Sequence, residues 1–281
     1  MDQQQTLPEA PPDQPPLRPA PAPPESGRWF QWGDPGGFEW SRYELPIAAL
    51  PPQLDGLRIA HLTDLHVRKT WRTGFDELIE RVRIEAPDLI LITGDYVDSK
   101  RRHDPAVPHV RRILEGLRAR LGCFGILGNH DRYHLAPKLE GTGLTLLDSK
   151  RHVIELEEAQ LELIGLPGVD RRDVTKQVLD GFPRREQGVP RIVLSHFPDV
   201  LRNAAVLRPD VFLAGHTHGG QICLPGGWPI IRHDSLPRRL CTGVHRAANT
   251  WLVVSRGLGF TNIPLRVFCP TEVVELILTR G

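Results

Sequence analysis

Five short polar clusters carry the side chains able to do chemistry: Thr63-Asp64-Leu65-His66, Gly94-Asp95-Tyr96-Val97-Asp98, Gly128-Asn129-His130-Asp131, Ser195-His196-Phe197-Pro198 and Gly215-His216-Thr217-His218-Gly219. Each follows directly on an apolar run, at 57–62, 89–92, 124–127, 192–194 and 211–214. Asp, Asn and His together ligate divalent cations. The mixture of carboxylate and imidazole suits Mn, Fe or Zn, whereas Mg or Ca favours an all-oxygen cage. In D-x-H and H-x-H, alternate residues of an extended segment share a side, so each pair is expected to reach a common metal. A single such histidine reads as a hydrogen-bonded loop residue, and Gly94, Gly128 or Gly215 alone as a turn former. Five clusters in series point to one shared site.

The elements that must position them alternate between strand and helix. The run 57–62 reads as a strand. Phe75, Leu78, Ile79 and Val82 then mark an amphipathic helix over 73–86, opened by Thr73 and Asp76 and closed before Pro87. Leu89 to Ile92 is a continuous apolar run, as in strands covered on both faces. Asp104 and Pro105 start a second helix with the stripe Val110, Ile113, Leu114, Leu117 and Leu121, stopped by Gly122. This β-α-β-α-β order predicts an α/β fold with a parallel sheet, whose strand carboxyl ends line one crevice. The stretches 151–166, 240–256 and 271–279 alternate more and predict a second, mixed or antiparallel sheet.

The rest of the chain sets bounds. Its 281 residues suffice for one sizeable core with an appendage. Residues 1–28 hold nine prolines in the first 24 positions and read as a disordered tail leaning to polyproline II. Residues 29–53 form an aromatic N-terminal arm containing Trp29, Phe30, Trp32, Phe38, Trp40 and Tyr43. The arm is expected to pack across the main domain; the alternative is a patch that dips into a lipid interface. Residues 54–281 are the catalytic domain. A net charge of +1 with scattered Arg and Lys argues against a nucleic-acid partner. Cys123, Cys223, Cys241 and Cys269 show no C-x-x-C spacing and read as free thiols of a reducing compartment. With no secretory signal pattern and no apolar run long enough to span a bilayer, the default location is cytoplasmic.

The series D-x-H, G-D-x-x-D, G-N-H-D, H and G-H-T-H, over about residues 57–278, resembles the calcineurin-like metallophosphoesterase superfamily. The longer forms L-T-D-L-H, L-S-H-F-P-D and G-H-T-H-G-G-Q-I-C-L-P are most similar to its bacterial phosphodiesterase branch typified by YkuE and YaeI. The resemblance implies a four-layer α/β/β/α sandwich and two divalent metal ions. Asp64, His66 and His218 would bind the first, Asn129, His196 and His216 the second, and Asp95 would bridge them. It further implies that the two cations clamp the phosphoryl oxygens and generate a bridging hydroxide. His130 would act beside the phosphate as acid or charge stabiliser, with the Asp98 carboxylate keeping its ring charged and turned.

Protein phosphatases of the superfamily carry Arg after G-D-x-x-D and Glu in G-N-H-E. Here Ser99 and Asp131 stand at those positions, so a phosphodiester or pyrophosphate is expected over a phosphoprotein. Loops 69–72 and 225–231, with Trp71 and Trp228, suggest an apolar wall for a lipid-linked substrate of the UDP-2,3-diacylglucosamine type, and peripheral membrane contact. His61 reads as a core or supporting histidine, and Gly257 to Phe260 and Arg266 as neighbours of the site. The rival readings are a phosphomonoesterase and a non-catalytic scaffold of the same fold.

Overall fold

The computed structural model describes residues 29–231 and 234–281. The proline-rich tail lies outside the described residues. Two six-stranded sheets stack face to face. The first runs in the order Glu39–Ile47, Glu272–Arg280, Arg58–Leu62, Leu89–Ile92, Cys123–Gly125, Leu144–Leu146. The second runs Gly243–Ala247, Thr250–Val254, Val211–Ala214, Arg191–Leu194, Ala159–Gly165, Lys150–Leu156. The strands that carry the five clusters are parallel to their neighbours, except that Arg58–Leu62 meets Glu272–Arg280 antiparallel on its other side.

Alternation along these strands makes three apolar layers. Leu89 and Leu91 enter the core between the sheets, with Ile59, Leu163, Leu194 and Leu213. Ile90 and Ile92 face the other way, onto the helices Gly74–Glu85 and Val107–Gly116 through Leu78, Val82, Val110 and Ile113. The outer face of the second sheet buries Val193, Phe212 and Leu252 beneath Phe197 and Leu201. The result is the four-layer α/β/β/α order, and the run 89–92 is covered on both faces because each face belongs to a different core.

Several local expectations change. The stretch 271–279 belongs to the first sheet: Glu272–Arg280 lies antiparallel to Arg58–Leu62 and parallel to Glu39–Ile47. Its alternation therefore reflects mixed pairing within that sheet. The second helix ends at Gly116, not Gly122, because Leu117 turns extended and Arg118 donates to the carbonyls of Leu114 and Leu117. Leu121 packs instead against the core between the sheets. The first helix takes its cap from outside its own motif: Asp34 accepts from the Gly74 N–H at 3.0 Å and the Thr73 hydroxyl at 3.2 Å.

The aromatic segment divides. Glu39–Ile47 is a strand of the first sheet, with Phe38 and Trp40 buried and the Trp40 indole N–H donating to Glu275 at 2.7 Å. Glu275 is fully buried and also bound by Arg42 and Arg58. Trp29, Phe30 and Trp32 stay exposed. All four cysteines are buried free thiols. Among the described residues no helix is long and apolar enough to cross a membrane.

Candidate metal centre

The five clusters converge from two sheets rather than one. Asp64 and His66 follow Arg58–Leu62, Asp95 follows Leu89–Ile92, and Asn129 and His130 follow Cys123–Gly125, all in the first sheet. His196 and the pair His216 and His218 follow strands of the second. The backbone at these turns is tight. Gly94 has φ +92°, and a Cβ there would lie 2.5 Å from the Gly128 nitrogen. A Cβ on Gly215 would lie 2.3 Å from Asp64 Oδ2. Both positions therefore exclude any side chain.

On one side, His66 Nε2 and His218 Nε2 approach to 3.1 Å, and His218 Nε2 lies 3.4 Å from Asp64 Oδ1. On the other, Asn129 Oδ1 lies 2.9 Å from His196 Nε2 and 3.1 Å from His216 Nδ1. Asp95 Oδ2 stands between them, 3.4 Å from both His66 Nε2 and His196 Nε2. All seven residues expected to hold metal are therefore brought together. H-x-H does not act as a pair, however: His216 joins Asn129 and His196, while His218 joins Asp64 and His66. The backbone of H-x-H is not extended, since His216 and His218 have φ +68° and +51°. Period-two reasoning holds for extended chain and fails here.

Two observations show that the donor set fits cations. Asp64 Oδ1 is buried with no hydrogen-bond donor, though it lies among imidazole nitrogens. Its other oxygen is satisfied by the His216 N–H at 2.9 Å and the Thr63 hydroxyl at 2.8 Å. The charges also demand a positive partner. Burial opposes ionisation of Asp64 and Asp95, yet the neighbouring histidines hold both well below the carboxylate range. Conversely, burial disfavours charged His66, but Asp64, Asp98 and Asp95 outweigh it and raise it to about 10. His196 is raised to about 9 by Asp95 against the same penalty. Burial lowers His216 to about 3 and His218 to about 4. Protons on His66 and His196 thus compensate the buried carboxylates and must leave when those nitrogens ligate. Addition of Mn²⁺ to metal-free protein at pH 7 in weak buffer should release about two protons per chain, read with a pH indicator. Release of none would contradict this charge state. Because both pKa values are raised, metal affinity should weaken as pH falls.

His130 and Asp98 are adjacent but not as expected. His130 Nδ1 donates to the Asp98 main-chain carbonyl. The Asp98 carboxylate instead lies 3.1 Å from Arg68 Nε and 3.5 Å from His66 Nδ1. It therefore supports His66, a candidate ligand, and burial lowers the His130 pKa rather than the carboxylate raising it. The His130 N–H donates to Asp95 Oδ1 at 2.7 Å.

Three residues that spacing did not single out complete the open crevice of about 410 Å³: Lys100, Thr261 and Asn262 join Asp95, Asn129, His130, His216 and His218 on its walls. Lys100 lies two residues beyond Asp98, close enough for the motif to have drawn attention to it. Asp131 also has a clear part. Its buried carboxyl group, pushed up to about 8 by burial and by Asp95, accepts from the main-chain N–H groups of Asp95, Val97 and Gly128 at 2.7, 3.1 and 2.7 Å, tying the Gly94–Asp95 and Gly128–Asn129 turns together. Arg266 is fully buried behind His218, with Nη2 3.2 Å from its Nδ1, and so stands away from the crevice. His61 is a core residue bonded to Thr93 Oγ1 at 2.9 Å. Trp71 packs on Phe75 and His109 under Arg112 and is not a crevice wall.

The sequence profile of the calcineurin-like phosphoesterases matches residues 57–220, which span every candidate ligand named above. The chain belongs to this family. Phosphodiesterase YaeI of Escherichia coli is 30% identical over 263 residues, covering 89% of this chain and 92% of that protein. The metallophosphoesterase YkoQ of Bacillus subtilis is 28% identical over 230 residues, covering 79% of this chain and 83% of its own length. A zebrafish "transmembrane protein with metallophosphoesterase domain" is 29% identical over 261 residues; the match takes in 85% of this chain but 56% of that protein. Among solved structures, the NAD nucleotidase of Haemophilus influenzae superposes with a TM-score of 0.51 at 14% identity, over 72% of this chain and 50% of that one. That likeness places this calcineurin-like phosphoesterase in a shared fold.

Proposed function

We propose that the chain hydrolyses phosphodiester or pyrophosphate bonds with two divalent cations of the Mn, Fe or Zn class. Asp64, His66 and His218 would hold one, Asn129, His196 and His216 the other, with Asp95 common to both. The observation that carries this reading is Asp95 Oδ2, equidistant at 3.4 Å from the imidazole nitrogens of the two half-sites. When bound, such cations supply Lewis-acid stabilisation of the phosphoryl oxygens and activation of a water nucleophile.

The chain's own residues do the remainder. With Nδ1 committed to the Asp98 carbonyl, His130 has Nε2 left to exchange a proton with the leaving oxygen. Burial keeps that ring neutral at pH 7 until the negative charge of a phosphoester raises its pKa. Lys100 gives the crevice wall a point charge, and Thr261 and Asn262 give it polar groups. A single ammonium in place of a bidentate guanidinium favours a diester monoanion over a monoester dianion. The name of the YaeI relative, a phosphodiesterase, supports the same class. Within it, a lipid-linked diphosphate of the UDP-2,3-diacylglucosamine type is the favoured substrate, since exposed Ile263 directly follows crevice-lining Asn262. Equal turnover of the acylated compound and its deacylated analogue would argue against that choice.

The class is tested by supplying Mn²⁺ and comparing bis-p-nitrophenyl phosphate with p-nitrophenyl phosphate. Faster turnover of the diester is expected, and a monoester preference would reverse the assignment. His130→Ala should lower kcat by about a hundredfold or more with metal content unchanged. Loss of both metals in that variant would sink the role given to His130.

A further inference from the structure

Eleven large apolar side chains are exposed among the described residues, and eight of them belong to three segments distant in sequence. Strand pairing brings those segments together. Phe30–Trp32 pairs antiparallel with Leu265–Val267, Ile222 bridges to Val267, and Cys223–Leu224 pairs with Trp228–Pro229. The alternation across this small ribbon is consistent. Gln31, Arg266, Cys223 and Pro229 are buried beneath it, so Phe30, Trp32, Val267, Leu224 and Trp228 share its outer face. Ile263, in the bend that leads into Leu265–Val267, is 52% exposed, against 64% for Trp32 and 53% for Trp228. A contiguous apolar face of this kind is unusual on a surface that meets only water.

Charge distinguishes among occupants. The segments 29–33, 222–231 and 261–269 contain no acidic residue, although the chain has 34. Asp34, next in sequence, is turned in to cap the first helix. Exposed arginines border the face: Arg72 reaches the Gly33 turn, and Arg238 and Arg239 sit on the turn that packs against Trp228–Pro229. Tryptophan and aliphatic side chains within an acid-free, arginine-bordered surface match the headgroup zone of an anionic bilayer. A protein partner would instead be met by a mixed polar rim with hydrogen-bonding side chains.

We propose that this ribbon is a docking surface for an anionic lipid bilayer, inserted through Phe30, Trp32, Trp228 and Ile263. It borders the crevice directly, because Thr261 and Asn262 line the crevice and exposed Ile263 follows them, two residues before Leu265–Val267. Docking therefore sets the mouth of the site at the membrane surface. The inference stands apart from the proposed reaction, since every result that would overturn it is read from vesicle binding or from association in solution.

The test is co-sedimentation of the full chain with phosphatidylglycerol–phosphatidylcholine vesicles and with pure phosphatidylcholine, alongside quenching of tryptophan emission by brominated lipid. Binding to the anionic vesicles is expected to exceed that to the zwitterionic ones by about tenfold, with tryptophan quenched. The double variant Trp32→Ser, Trp228→Ser should lose about tenfold or more in partitioning while its melting temperature and soluble-diester turnover stay put. Three results would overturn the proposal: no partitioning into any vesicle, undiminished partitioning of the double variant, or a wild-type dimer in sedimentation velocity that the variant dissolves.

Discussion

Asp95→Asn should cut metal-dependent diester turnover by about a thousandfold or more, with a folded protein left behind. The substitution keeps size and one carbonyl oxygen, so the 2.7 Å bond from the His130 N–H can persist. What it removes is the negative charge common to both half-sites. The amide NH₂ would point donors at one of the histidine nitrogens that Asp95 Oδ2 now faces. Metal content should fall to one cation or fewer per chain, while circular dichroism stays unchanged. Near-normal turnover with full metal content would remove Asp95 from the centre of the account.

The second large effect is on stability. Asp131→Ala deletes the acceptor for three buried main-chain N–H groups, on Asp95, Val97 and Gly128. Each orphaned buried donor costs about 1–3 kcal/mol, so the loss from three should reach on the order of 3–9 kcal/mol. Since small domains have only about 5–15 kcal/mol in total, the variant should unfold at much lower urea concentration. Asp131→Asn retains one acceptor oxygen and should be hurt less. Metal affinity should fall in both, because the Gly94–Asp95 and Gly128–Asn129 turns lose their shared tie. A midpoint for the alanine variant within experimental error of wild type would show that water or a main-chain shift replaces the carboxylate.

Much of this was legible in the residues because strand-end chemistry and burial obey simple periods. The run 89–92 had to be covered on both faces, and Leu89 and Leu91 do enter one core while Ile90 and Ile92 enter another. The five clusters followed from polar side chains placed directly after buried strands, while the ligand roles within them came from the family resemblance. What failed to show did so for identifiable reasons. The parting of His216 from His218 was implied by the family resemblance but not by period-two spacing, because both residues have left-handed φ. Asp98 holds His130 through a main-chain carbonyl, a group that every residue carries and none advertises. The apolar ribbon joins residues about 235 apart through the Phe30–Val267 register, so each segment alone reads as an ordinary loop. Placing Glu272–Arg280 between Glu39–Ile47 and Arg58–Leu62 likewise depends on long-range pairing.

The central claim is a two-cation site joined by Asp95, and anomalous diffraction from crystals grown with Mn²⁺ tests it most directly. The account predicts two peaks about 3.5–4 Å apart on either side of the Asp95 carboxylate, one beside His66 and His218 and the other beside His196 and His216. A single peak, or none at saturating Mn²⁺, would contradict it and leave a protein that keeps this fold without its two-metal chemistry.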